Sequence, residues 1–440
     1  MNRIFTFSLF FLLCFQMDAQ VQIIDKAKIK LKLVDGTNKL YSNNYRGALV
    51  TFREILTIDP KNAMANLRIA QCQTKLGRHD LALKYAEKAY AIDPEVDKEL
   101  YIVLGEANHR LGNLDIAKTQ YQTFKTKISK SEQEDYAIDN LIAQIDYAKE
   151  AMKTPVNAVI TNLGDNINTS SPEYGASVSS DGKTLIFTSR RSDTKGGNTD
   201  PLFDHQYYED IYISNWNDER GEWDEASSAE GRLNSEFHDA CLNITPDGQE
   251  IYVYRNIPRA TKSGDIYVSK MNKRGKWGSP KPISKSKNIN STYFESSASI
   301  TADGNTLFFV SDRPGGEGLA DIYMAKRERK DWGKPVNLGK TINTNLDEKF
   351  VFVHPDGKTL FFSSQGHDNI GGYDIFVSYL ENGEWTAPKN VGYPINTVGE
   401  ERTFSVTADG KIAYVSAEYE NSKGSYDVYK VDISNLGLVK

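Results

Sequence analysis

The sequence predicts a multidomain α and β protein: an all-α solenoid of helical hairpins, then an all-β five-bladed propeller closed by its own N-terminal strand. Three observations lead there. Residues 29–152 carry apolar side chains at helical period, and "IDP" recurs with Pro60 and Pro94 34 residues apart. Residues 157–434 hold five copies of a four-strand pattern, each marked by an Asp-Gly pair. The fifth copy lacks its last strand, and a matching segment stands before the first copy.

The chain begins MNRIFTFSLFFLLCFQMDAQ. Arg3 gives a positive start, Ile4 to Phe15 an apolar stretch, and Met17-Asp18-Ala19 a cleavage site, so residues 1–19 read as a secretory signal peptide. That stretch is too short to span a bilayer core of ~30 Å, and no other long apolar run occurs. The expected location is periplasmic, with outer-membrane association through partners. Cys14 offers a second reading as a lipidated cysteine, against which Leu13 stands where a small residue is wanted. Cys72 and Cys241 fall in different modules, so disulfides are not the expected means of stabilisation. Net charge is -6, with 20 basic against 18 acidic side chains in residues 20–150 and 32 against 40 in 151–440. Neither module has the basic surplus of a nucleic-acid binder.

In the helical module, alignment on the two prolines superposes Ala48, Ala82 and Ala117, and Gly77 with Gly112. Small residues there let paired helices approach, and each proline stops the second helix of a hairpin. Ser131 and Glu134 have capping-box spacing and are expected to open one more helix, bounded by Pro155. The segments NNYRGALVTFREILTIDP, GRHDLALKYAEKAYAIDP and GNLDIAKTQYQTFK resemble tetratricopeptide (TPR) repeats over about 29–130. The resemblance implies a concave groove for a peptide or protein segment. On its positions Leu33, Leu67 and Ile102 face that groove, with Thr37, Gln71 and Glu106 as a second row. The Lys/Asn pattern of the carboxylate-clamp subclass is missing, so an apolar or amphipathic segment is the implied occupant. The opposing reading packs the same side chains against the last helix or the second module.

In the second module the Asp-Gly pairs begin at Asp181, Asp247, Asp303, Asp356 and Asp409, and Asp-Ile/Val-aromatic marks fall at Asp210, Asp265, Asp321, Asp374 and Asp427. Trp223, Trp277, Trp332 and Trp385 form a third mark, and Asn168, Asn234, Asn290, Asn343 and Asn396 a fourth. The fourth copy reads as strands KFVFVHP, KTLFFSS, YDIFVSY and EWTAPKNVG. Asp-Gly is the tight-hairpin signal, and four-stranded units repeating radially make a propeller. NAVITNLGDNIN matches the fourth strands GKPVNLGKTIN and APKNVGYPIN, so it is expected to complete the fifth blade and leave no open edge. SPEYGASVSSDGKTLIFTSRR and SDRPGGEGLADIY resemble the WD40-like repeat called PD40, also seen in TolB, over about 157–432. The order of signal peptide, TPR block and PD40 propeller is similar to periplasmic envelope proteins associated with type IX secretion and gliding. Those proteins often continue into an OmpA-type peptidoglycan-binding tail. Here Lys440 follows the propeller, and peptidoglycan anchoring is not carried over.

HPDGKTLFFSSQGHDNIGGYDIF, residues 354–376, has the residue types of a metal or catalytic site. Its Asp356 and Asp374 recur in all five copies, whereas His354 and His367 do not. A residue needed once for chemistry would not recur five times, so both aspartates read as structural. No catalytic, metal or cofactor set is expected. Two features exceed the scaffold. From the Asp-Gly aspartate to the strand-opening aspartate is 29 residues in the first copy and 18 in the others. The insertion, within SDTKGGNTDPLFDHQYYED, supplies Asp204, His205, Tyr207 and Tyr208 as candidate partner-binding residues. An acid also stands eight residues before every Asp-Gly aspartate: Glu173, Asp239, Glu295, Glu348 and Glu401. These five either collect a cation, or pair with arginines such as Arg190, Arg191 and Arg313 and cap loop N–H groups. The expected function is an exported non-enzymatic scaffold binding envelope proteins or peptide segments. The alternative is a periplasmic carbohydrate- or peptide-binding protein. An enzyme is the weakest reading, since G-x-S-x-G is missing and the six histidines are scattered.

Overall fold

The computed structural model describes residues 24–179, 181–200, 205–257, 264–285 and 288–440. The signal segment, Cys14 and Asp204 lie outside them. The main division into two compact units falls after Ile142.

The first unit is built from helices α1 (24–41), α2 (Tyr45–Ile58), α3 (Ala63–Lys75), α4 (His79–Ile92), α5 (Glu99–Arg110), α6 (Leu114–Lys127) and α7 (Lys130–Asp135), with α8 (Ile138–Ala151) crossing the division. Asn44 and Asn62 cap α2 and α3 by accepting the N–H of Gly47 and Ala65, each at 2.9 Å. Gly77 and Gly112 end α3 and α5 in the left-handed region, at φ 70° and 76°. Ala48, Ala82 and Ala117 are fully buried, as the repeat alignment requires. Gly105 is as tight: a Cβ there would meet the Tyr121 ring at 2.5 Å. The capping box before α7 is not Ser131–Glu134. It is Ser129–Glu132, the same spacing two residues earlier, because Ser129 has the extended backbone of a cap while Ser131 is already helical.

The second unit is the five-bladed ring. Blade 1 holds β2 (Glu173–Val178), β3 (Thr184–Ser189), β4 (Asp210–Asn217), β5 (Glu222–Trp223) and β6 (Ser227–Ser228). Blade 2 holds β7 (His238–Ile244), β8 (Glu250–Asn256), β9 (Asp265–Lys270) and β10 (Lys281–Pro282). Blade 3 holds β11 (Glu295–Ile300), β12 (Thr306–Ser311), β13 (Asp321–Glu328), β14 (Asp331–Trp332) and β15 (Val336–Asn337). Blade 4 holds β16 (Glu348–Val353), β17 (Thr359–Ser364), β18 (Asp374–Glu381), β19 (Glu384–Trp385) and β20 (Lys389–Asn390). Blade 5 holds β21 (Glu401–Val406), β22 (Ile412–Ala417) and β23 (Asp427–Asp432), and β1 (Val159–Asn162) closes it antiparallel to β23 with Val159 opposite Asp432. The fourth strand expected as one run is split in blades 1, 3 and 4. EWTAPKNVG forms β19 and β20, which both pair β18 and are separated by Thr386 to Pro388.

Each Asp-Gly pair makes its turn. Gly182, Gly248, Gly304, Gly357 and Gly410 sit at φ 70°, 67°, 68°, 68° and 70°. The preceding aspartate accepts the N–H two residues on, as Asp356 does from Lys358 at 2.7 Å.

Candidate functional site

All five inner-strand acids are fully buried at the start of their blades' first strands. Each caps the loop before it: Glu348 accepts the N–H and hydroxyl of Thr344 at 2.9 and 2.7 Å, and Thr169, Ser235, Ser291 and Thr397 do the same for the others. Arg191 and Arg313 pair with Glu173 and Glu295 at 3.3 and 3.1 Å. Asp239 pairs with Arg255, which the sequence reading missed, and Arg190 does not take part: its Nε donates to the Tyr207 carbonyl at 2.6 Å. Arg191, Arg255 and Arg313 also donate to the carbonyls of Ile167, Leu233 and Ile289. In blades 4 and 5 the bond to the matching carbonyl, of Ile342 or Ile395, is made by His367 or Tyr419. The repeated asparagines staple the start of a third strand, as Asn343 does by bonding both the N–H and the carbonyl of Ile322. Four of the strand-opening aspartates, Asp210, Asp321, Asp374 and Asp427, accept loop N–H groups, Asp374 from Ile370 and Gly371. Thus the acids, asparagines and aspartates hold the ring together.

Burial raises the Glu348 carboxyl to about 7, against the bonds from Thr344 and Ser364. Among the inner strands, the cavity lined by Ala176, Ser177, Ser297, Phe350 and Ser405 measures about 30 Å³, the order of one water. Among the described residues no three His, Cys, Asp or Glu side chains converge as a metal set.

Beside these acids, residues that differ from blade to blade form a belt where the inner strands begin. Tyr174 bonds Glu209. Tyr373 bonds Asp347 at 3.0 Å, and Lys349 lies over the Tyr373 ring at 5.1 Å. Tyr426 bonds Glu400 at 2.7 Å, and Arg402 pairs with Glu400 at 3.0 Å while lying over the Tyr426 ring at 4.2 Å. Tyr254 meets Phe294 edge-on at 5.7 Å. The charges of Glu209, Arg190 and Arg402 act on Tyr174, and those of Asp347, Glu400 and Arg402 on Tyr373, so the belt is continuous across blades 4, 5 and 1.

The insertion joins this belt through His238. Its ring nitrogens lie 3.0 Å from Asp200 and 3.0 Å from Glu209, and Tyr208 meets its ring at a centroid distance of 4.9 Å. Burial favours neutral His238, but the two carboxylates outweigh it and raise its pKa. Burial likewise opposes the charge of Glu209, yet His238, Arg190 and Tyr174 bring it down to about 2. The imidazole, held between Asp200 and Glu209, therefore clamps the insertion to blade 2. Reading the sequence missed His238; its only mark was its place directly before an inner acid.

Of the residues singled out from the insertion, Tyr207 is exposed, Tyr208 is turned onto His238, and His205 is half-buried at φ 58°. In the helical unit Leu67 is not groove-facing. It is fully buried among Ala70, Ala86, Ala89, Leu100, Val103 and Leu104, because its face of α3 packs on α4 and α5. Ile102 packs half-buried on the same cluster, and Leu33 on the core around Phe52. Gln71, from the second row, donates to Glu99 at 2.7 Å and accepts from Arg68, which reaches Asp97 and Glu99 at 3.2 and 3.0 Å.

A tetratricopeptide-repeat family model matches residues 39–86. No curated protein matches the sequence. Among solved structures, TolB from Acinetobacter baumannii is similar at 14% identity and a TM-score of 0.36, over 60% of this chain and 54% of that one. The chain thus spans about half the length of the TolB structure it matches. The type III secretion translocator chaperone SycD of Yersinia enterocolitica is similar at 19% identity and a TM-score of 0.26, over 28% of this chain and 96% of that one. The second TPR domain of human RPAP3, in complex with an HSP70 peptide, is similar at 18% identity and a TM-score of 0.25, over 28% of this chain and 98% of that one. The family model identifies tetratricopeptide repeats in the helical unit.

Proposed function

We propose that the protein is an exported, non-enzymatic scaffold that binds envelope proteins or peptide segments, in cell-envelope assembly or secretion. The observation that supports this reading is the division of labour around the ring. Residues repeated in every blade hold the ring, while the variable residues beside them form a half-buried belt of tyrosines, arginines and carboxylates. Tyrosine and arginine are the side chains most enriched where protein interfaces concentrate their binding energy. On the helical unit, the half-buried Arg68, Gln71 and Glu99 are the groove residues this reading uses, in place of Leu67. Export rests on residues 1–19, and N-terminal sequencing of the mature protein should begin at Gln20. Association with type IX secretion or gliding rests on module order alone.

The test is in-cell crosslinking and capture from envelope fractions, comparing the native protein with Arg402→Ala and Tyr207→Ala. Loss of a defined partner from variants whose propeller melts normally supports the reading. An unchanged partner set overturns the belt as the binding surface. Turnover of a peptide or glycan, abolished by one substitution, overturns the scaffold itself.

A further inference from the structure

Each interface between successive blades is filled by two side chains of the leading blade. One comes from its second strand, at the position facing the fourth residue of its third strand: Ile186 faces Ile213, Tyr252 faces Val268, Phe308 faces Met324, Phe361 faces Val377, and Tyr414 faces Lys430. The other follows the outer-strand residue and donates its N–H to the second residue of the third strand: Ala229, Ile283, Leu338, Val391 and Leu163. Four interfaces thus receive an aromatic ring and a large aliphatic side chain. The rings pack closely there, Tyr414 on Trp223 at 6.4 Å, Phe308 on Trp385 at 5.8 Å and Phe361 on Phe404 at 5.2 Å. Between blades 1 and 2 both positions are truncated, to Ile186 and Ala229, which share a cluster with Ile213, Ile244 and Trp277. A cleft of about 530 Å³ opens there, with Ala229, Ile213, Ile244, Met271 and Trp277 in its wall.

The polar part of the lining has a sign. Lys276 and Glu230 are 3.8 Å apart and offset one another. Asp181 and Asp247 remain, one from the turn of each blade. In each, Oδ1 accepts the local hydroxyl and N–H, from Ser179 and Lys183 or from Thr245 and Gln249. Those bonds, the hydroxyl first, hold both carboxyls below the usual range. An apolar wall under two ionised carboxylates complements a cation carried on an aliphatic stem.

We propose that the cleft between blades 1 and 2 receives a lysine or arginine side chain from a partner protein. The stem lies along Ile213, Met271 and Trp277, and the cation reaches Asp181 and Asp247. This proposal does not depend on the belt at the ring mouth.

The test uses the full-length protein and two peptides, acetyl-Ala-Ala-Lys-Ala-Ala-amide and its norleucine counterpart, followed through the tryptophan indole N–H signals by NMR. The lysine peptide is expected to shift the Trp277 signal saturably, and the norleucine peptide to bind at least about tenfold more weakly. Ala229→Leu and Ile186→Phe, which introduce the residue types of the other four interfaces, should abolish the shift and leave the other four indole signals in place. Where either packs badly, Asp181→Asn with Asp247→Asn removes the charge without filling the cleft and should weaken binding by a similar factor. Equal binding of the norleucine peptide, retention of the shift in a folded Ala229→Leu protein, or no saturable shift up to about 10 mM peptide would overturn the proposal.

Discussion

Replacing Arg313 with Met tests the reading that the ring acids are structural. The guanidinium donates to the carbonyls of Ile289 and Asn288 at 2.7 and 3.1 Å, to Ser311 at 3.0 Å and to Glu295 at 3.1 Å. It also lies over the rings of Phe309 and Tyr323 at 5.0 and 5.2 Å. Methionine keeps much of the stem and removes every donor. Glu295 is fully buried and retains only the bonds from Ser291 and Ser311. Removing one partner of such a pair costs about 3–5 kcal/mol. For a module of this size each kcal/mol lowers the melting temperature by about 2–4 °C, so a fall of about 6–20 °C is expected. The assay is tryptophan emission during heating, because all five tryptophans, at 216, 223, 277, 332 and 385, lie in the propeller. Arg313→Tyr should recover part of the loss, since Tyr419 makes the equivalent bond to the Ile395 carbonyl in blade 5 without a cation. A shift below about 2 °C for Arg313→Met would refute the reasoning.

Deleting residues 157–165 removes β1 and opens the edge of β23, so the truncated protein should aggregate or lose protease resistance; normal folding would defeat the closure argument. Burial raises Asp210, Asp265 and Glu348 to about 7, 6 and 7, and two carboxylates raise His238. Each binds its proton more tightly when folded, so its stabilisation is complete below the unfolded pKa and is lost as pH rises through the folded one. The propeller should be more stable by a few kcal/mol at about pH 5.5 than at about pH 8.5, and a flat melting profile would contradict this. Asp210→Asn should flatten part of that slope. Leu67→Ser empties a core site and buries a hydroxyl, which should cost the helical unit about 2–5 kcal/mol by helical circular dichroism. An unperturbed helical melt would return Leu67 to the groove.

What was legible in the sequence is what repeats. Gly182 and its four counterparts need φ > 0, so the Asp-Gly pairs fixed every hairpin, and the unpaired fourth strand of the last copy fixed the closure at Val159. Register and partner choice were less legible. Ser129 and Ser131 have the same spacing to a glutamate, and only backbone geometry chooses between them. Arg190 and Arg191 are adjacent, so alternation sends one to Tyr207 and the other to Glu173, and sequence cannot say which. Leu67 was assigned from one row of the repeat, whereas packing on both α4 and α5 decides its burial. His238 meets Asp200 across 38 residues, a pairing that no local pattern encodes.

The departures from the repeat gather in blades 1 and 2. In the other three blades Asn162, Asn337 and Asn390 each donate to the strand-opening aspartate at 2.7–2.8 Å. Register places Ser228 and Pro282 at that position in blades 1 and 2. Proline has no such donor, and Ser228 Oγ accepts from Asn234 instead. Asp210 is then fully buried with Oδ1 lacking a hydrogen bond among the described residues, and burial raises its carboxyl to about 7. The same two blades carry the insertion, the His238 clamp and the truncated interface. A ring selected only for cohesion would keep its asparagine, its ring side chain and its branched aliphatic side chain in every blade, since each adds stability where it stands. Losing them together on one side leaves that side less cohesive and more open than the rest. Local rules broken together in one place mark a surface shaped by something other than folding. On this ring, that surface is the seam between blades 1 and 2.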